Sequence, residues 1–182
     1  MRKNSIRELT VCAMLGAIYA VLTMVLPIPQ YAGVQVRLAE ALTVLPFLFP
    51  AATPGLFVGC LIANLLSPYG PLDMVAGSAA TLIACLWPPR LQNRWLAPLP
   101  AVVCNAVIVG GVIAFAMTGF GPGFWAAYAL NALSVGLGEL IASYALGSVL
   151  LSYLPRLSYF RAMIQPERLA LLEKKQRMQT QG

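Results

Sequence analysis

Apolar residues run along this chain in long blocks, punctuated by prolines, glycines and a few polar positions. The first block begins within "MRKNSIRELTVCAML" and continues to about Leu26. Its basic start is that of a secretory signal. No small-residue cleavage site followed by a polar mature region appears, so it reads as a retained first span. Ser5 and Glu8 form the S-x-x-E pattern of a capping box that would start this helix near the surface. With ~20 residues as the length that crosses a bilayer, the punctuation predicts spans at 9–27, 38–50, 54–67, 72–88, 97–118 and 124–153. The second and third are short and joined by "FPAATPG", so they must tilt, lean on neighbours or stop inside a cavity. Six spans place both termini on one side. The expected fold is an all-α integral membrane bundle of six transmembrane helices over 1–156, followed by a basic cytoplasmic tail over 157–182.

Charge supplies the orientation. Only 10% of the 182 residues are charged and 59% are apolar, too apolar for an ordinary soluble domain. With the N-terminus inside, the inner segments hold Arg2, Lys3, Arg7, Arg90, Arg94, Arg156, Arg161, Arg168, Lys174, Lys175 and Arg177, whereas the outer segments hold only Arg37. That asymmetry is the positive-inside pattern of a multi-pass cell-membrane protein with both termini cytoplasmic. Trp87 and Trp95 bracket the inner loop, and Trp125 and Tyr128 lie near the outer boundary, as aromatic belts do. Topology accounts for the net charge of +6, so no nucleic-acid partner is needed.

Several chemistries are excluded. The chain has no histidine, no lysine between Lys3 and Lys174, and no G-x-x-x-x-G-K-[ST] phosphate loop. Cys12, Cys60, Cys85 and Cys104 are dispersed without C-x-x-C spacing and read as small packing residues. No catalytic site, metal site or cofactor is expected. The C-terminal "PERLALLEKKQRMQTQG" opens with proline at a helix N1 position and sets Glu173 four before Arg177, which favours a short helix. Its simplest role is a solvated basic anchor against anionic lipid.

A charge inside a bilayer costs roughly 2.5–3.5 kcal/mol on insertion scales, so the few polar residues in the apolar blocks are the candidates for chemistry. Arg37 and Glu40, in "QVRLAEAL", share one helical face and can pair, as an interfacial salt bridge or as ligand groups. Asp73, at the start of the fourth span, can complement the helix dipole. Glu139 lies more than three turns from either end of the sixth span and must face protein or a polar cavity. It is either a clamp between helices or a ligand group. Asn64, Asn105 and Asn131 are the amides of the same regions. Three carboxylates against one arginine favour a cationic or donor-rich ligand: an amine, a cation, or a base offering a guanine-like edge. On the first span Ala13, Gly16, Ala17 and Ala20 form a stripe of small residues, which ordinarily serves close helix packing.

The ordered segments "VQVRLAEALTVLPFLFPAATPGLFVGCLIANLL", "LDMVAGSAATLIA", "LAPLPAVVCNAVIVG" and "ALNALSVGLGELIASYALG" resemble the QueT family, from about residue 5 to 155. That family comprises substrate-binding S components of energy-coupling factor transporters. The resemblance implies capture of queuosine or a deazaguanine precursor from outside, beside a transmembrane coupling subunit and two ATPase subunits. It implies that Ala13 and Ala17, matching an A-x-x-x-A motif, dock the coupling subunit, with Gly16 and Ala20 widening the groove. Within such a bundle, Gln35, Arg37, Glu40, Asn64, Asp73, Asn105, Asn131 and Glu139 become substrate-binding candidates. Trp125 and Tyr128 become stacking surfaces for a flat base, a contact worth about 1–3 kcal/mol. Two other readings stay open: an S component for another vitamin or nucleobase, and a stand-alone proton-coupled transporter with Glu139 as proton carrier.

Overall fold

The structure is a computed structural model that describes residues 2–25, 37–67 and 69–172. Gln35, Glu173 and Arg177 lie outside the described residues. All regular structure among them is helical. Among the described residues, four runs are long and apolar enough to cross a membrane: Ile6–Val25, Gly70–Arg90, Arg94–Thr118 and Phe124–Arg156. Leu38–Phe47 and Pro50–Asn64 are shorter apolar helices, where the second and third spans are predicted.

Helix α1 spans Arg2–Val25, so the backbone is already helical at Ser5 and the capping box does not mark its start. Extending the helix satisfies backbone groups that an N-cap would otherwise have to satisfy. The next element is a 3₁₀ helix, Leu38–Phe47, buried at every position from Ala39 to Phe47 despite containing Pro46. At about 2.0 Å rise per residue its ten residues reach about 20 Å, further than an α-helix of equal length. It threads between α1, α3 (Gly70–Leu86) and α7 (Gly147–Tyr153). A Cβ on Gly147 would lie 2.8 Å from Val44 Cγ1, which shows how closely α7 presses on it.

Helix α2, Thr53–Asn64, starts at Pro54 in its first turn and crosses α1 at backbone contact. A Cβ built on Gly16 would sit 2.5 Å from Gly55 O, one on Gly55 1.9 Å from Cys12 O, and one on Gly59 2.3 Å from Gly16 O. Lipid tails are as apolar as leucine, so close packing of this kind is what holds membrane helices together. The small-residue stripe of α1 therefore divides. Gly16 is consumed by this internal crossing and Ala20 is buried, so they do not widen a docking groove. Ala13 and Ala17 remain exposed among Met14, Ile18 and Val21.

Both remaining long runs are interrupted. Helix α4 (Leu99–Cys104) passes through a π-helical turn, Asn105–Val109, into α5 (Gly110–Thr118). Gly119, at φ 57°, ends α5 with its N–H bonded to Phe115 O at 2.8 Å. Helix α6 (Phe124–Leu140) likewise passes through a π turn, Ile141–Leu146, into α7.

The C-terminal segment departs from a solvated tail. After α8, Ser158–Arg161, the chain buries Ile164, stacks Phe160 on Phe49 with ring centroids 6.4 Å apart, and forms a helix over 166–172. Arg168 lies over the Phe47 ring at 4.9 Å and donates to the Pro89 and Leu91 carbonyls. Leu169 and Leu172 pack on the same core. Apolar residues at helical spacing give this segment a face to bury, and basic composition alone conceals it.

Candidate functional site

Each surrounding element sends a polar side chain into the middle of the bundle. From the 3₁₀ helix comes Glu40, fully buried. Its Oε1 accepts the Tyr19 hydroxyl of α1 and, at 3.4 Å, the Thr81 hydroxyl of α3. Cys60 Sγ lies 3.2 Å from Thr81 Oγ1. Asn64, one turn further along α2, uses its amide nitrogen on Cys60 Sγ, the Asp73 carbonyl and Ser78 Oγ. Its oxygen accepts from Arg37 Nη2 at 3.0 Å. Asp73, buried in the first turn of α3, accepts Ser67 Oγ at 2.5 Å. Gly77 leaves the room these groups need, because a Cβ there would fall 2.7 Å from Asp73 Oδ1 and 2.9 Å from Asn64 Nδ2.

A second group faces the first. Glu139 of α6 is buried beside Asn105 and Ser143, and its carboxyl interacts electrostatically with Glu40 and Arg37. Asn105 opens one π turn and Ser143 lies in the other. A π turn is rare and frequently marks a functional site, since the extra residue redirects a side chain. Asn105 and Ser143 flank the carboxyl without completing a hydrogen bond of good geometry.

The unpartnered atoms define what this site can do. Glu40 Oε2, Asp73 Oδ1, Glu139 Oε2, both polar atoms of Asn105 and the Ser143 hydroxyl are buried without a protein hydrogen-bond partner. Each such group costs about 1–3 kcal/mol unless water or a ligand satisfies it. Five of the six atoms are oxygens able to accept, and three of those belong to carboxyl groups. The arrangement suits a ligand presenting several N–H or O–H donors, or a positive charge.

The predicted residues separate by position. Arg37, Glu40, Asn64, Asp73, Asn105 and Glu139 belong to the buried constellation. Arg37 and Glu40 do not form a direct ion pair; Arg37 bonds Asn64 while Glu40 bonds Tyr19 and Thr81. Trp125, Tyr128 and Asn131 stand apart on α6. Trp125 is 75% exposed and meets Phe124 and Tyr128 edge-on. Asn131 spends its amide on Ala127 O at 2.8 Å. Tyr19, Thr81, Ser78 and Ser143 are additional members. Tyr19 had a legible signal: it follows Val11 and Leu15 at four-residue spacing, on the buried stripe of α1. Single hydroxyls in apolar helices carry no comparable mark. Among the described residues, no group of three or more His, Cys, Asp or Glu side chains could hold a metal ion.

No curated protein and no solved structure matches the chain. A family model described as QueT transporter matches residues 9–156, which includes every residue of the buried constellation. By that match over most of its length, the chain belongs to the QueT transporter family.

Proposed function

We propose that this chain is the substrate-capturing S component of an energy-coupling factor importer, taking queuosine or a deazaguanine precursor from outside the cell. The observation that carries the reading is the concentration of unpartnered acceptors on Glu40, Asp73, Asn105 and Glu139. A guanine-like edge offers ring N–H and exocyclic amine donors side by side, the pattern that carboxylate and amide acceptors match. The sequence contains no phosphate loop, so active uptake needs partners that hydrolyse ATP. A transmembrane coupling subunit and two ATPases fill that role, with exposed Ala13 and Ala17 as the docking contact. In this arrangement four long and two short helices make six spans in the cytoplasmic membrane, with both termini inside.

The test is the identity of the bound ligand. The chain is purified in detergent from cells supplied with deazaguanine compounds, and the extracted small molecules are identified by mass spectrometry. A queuosine-related base or nucleoside near one per chain is the expected result. A different flat vitamin would keep the S-component reading and replace its substrate. Uptake by the chain alone in liposomes, driven by a pH gradient and abolished in Glu139→Gln, would replace it with a proton-coupled transporter.

A further inference from the structure

The end of the molecule carrying Arg7, Arg90 and Arg168 also holds a cleft that the buried constellation does not use. It has a volume of about 90 Å³, several times what one water needs, and lies between the α7 end and the C-terminal segment. Arg94, Arg156 and Arg161 line it together with Ser152, against an apolar wall of Leu151 and Leu169. A second cleft continues it past Trp95 and Ser148 and shares Arg94, Leu151 and Ser152. Among the described residues, no carboxylate lines either one.

Arg161 and the arginines outside the cleft at this end are engaged within the chain. Arg7 lies over the Tyr159 ring at 4.2 Å, Arg90 donates to Leu86 O at 2.6 Å, and Arg168 is fixed on two carbonyls. Arg94 and Arg156 instead lie at 5.0 and 5.5 Å over the rings of their own chain neighbours, Trp95 and Tyr153. Such stacking orients a guanidinium and leaves its N–H edge able to donate. Arg94 and Arg156, two like charges on one small cleft, repel unless an anion joins them. The planar donor fork of arginine matches phosphate oxygens in pairs. The apolar wall beside the charges suits the stem of a lipid, and basic pockets between helices on the positively charged side of a membrane protein bind anionic head groups.

We infer that this cleft is a binding site for a phosphate monoanion or diester, supplied by the head group of an anionic phospholipid, with Arg94 and Arg156 as its principal ligands. The site is independent of the substrate proposed above.

The full chain in detergent is titrated with phosphatidylglycerol and, separately, with phosphatidylcholine, and retained lipid is counted by native mass spectrometry. Phosphatidylglycerol is expected to bind at least about tenfold more tightly, and Arg94→Gln/Arg156→Gln to weaken it about 30-fold, at about 1 kcal/mol per basic residue. Arg90→Gln, outside the cleft, is expected to retain it. Retention on the unaltered chain should also fall steeply with added salt, a readout independent of how the variant folds. Displacement of the lipid by millimolar inorganic phosphate would assign the site to the phosphate group from either source; no displacement would assign it to the intact lipid. Equal retention of the two lipids, or full retention of phosphatidylglycerol by the double variant, would overturn the inference.

Discussion

Glu40→Gln separates the two tasks that one buried carboxyl performs. One oxygen of Glu40 is occupied by Tyr19 and Thr81, and the other has no protein partner. A glutamine fits the same space and can turn its carbonyl oxygen to Tyr19 and Thr81, keeping the internal bonds. Its amide nitrogen then stands where Oε2 was, offering a donor to a ligand that itself brings donors. The loss is one hydrogen bond to a charged acceptor, about 1.5–3 kcal/mol, or about 10- to 150-fold in Kd. Isothermal titration of the purified protein with a deazaguanine base measures that factor, and a thermal melt without ligand measures the fold. Weakened binding with a melting temperature within about 2 °C of the parent is expected, since only the internal bonds enter the latter. Unchanged affinity would refute the assignment of Oε2 to the ligand. A melt that drops several degrees with little change in Kd would make Glu40 a structural clamp instead.

Three further outcomes follow from the packing. Gly55→Ala places a methyl 1.9 Å from the Cys12 carbonyl, where only backbone movement can relieve it. Overpacking of that kind costs about 1–3 kcal/mol and should lower the melt by several degrees, whereas Gly111→Ala, whose Cβ would lie 3.4 Å from the Tyr128 ring, should change it little. Arg168→Ala removes two carbonyl bonds and the contact over Phe47, so limited proteolysis within 157–172 should accelerate while ligand affinity holds. Replacing exposed Ala13 and Ala17 with leucine should leave the melt and ligand binding intact and abolish co-purification of a coupling subunit; retained co-purification would move the docking contact elsewhere.

Hydropathy and proline placement made the long helices legible, because transfer from water to an apolar medium is what such patterns record. The same measure cannot distinguish lipid from protein interior. Leu38–Phe47 therefore reads as part of a short membrane span, although protein surrounds it and its helix is 3₁₀. The π turns at Asn105 and Ile141 were equally invisible, since one extra residue per turn leaves no compositional trace. Charged candidates stood out because burial of Glu40 and Glu139 is costly without a reason. Their neighbours Thr81 and Ser143 did not, because a hydroxyl in an apolar helix can satisfy itself on the preceding turn. Gly16 shows the opposite ambiguity: a small residue permits close approach without saying which helix approaches.

The 3₁₀ geometry of Leu38–Phe47 also governs which heritable changes the gene can tolerate there. With three residues per turn, Arg37, Glu40, Thr43 and Pro46 fall in one row along the segment. A substitution alters one position of that row. Deleting or inserting a single codon anywhere between Glu40 and Pro46 turns the two halves by about 120° relative to each other. The first half, with Glu40 against Tyr19 and Thr81, and the second half, with Phe47 under Arg168, could then no longer both be seated. Neighbours on every side leave no slack for the mismatch. The spelling of this segment is thus freer to drift than its length, the reverse of what a surface loop allows.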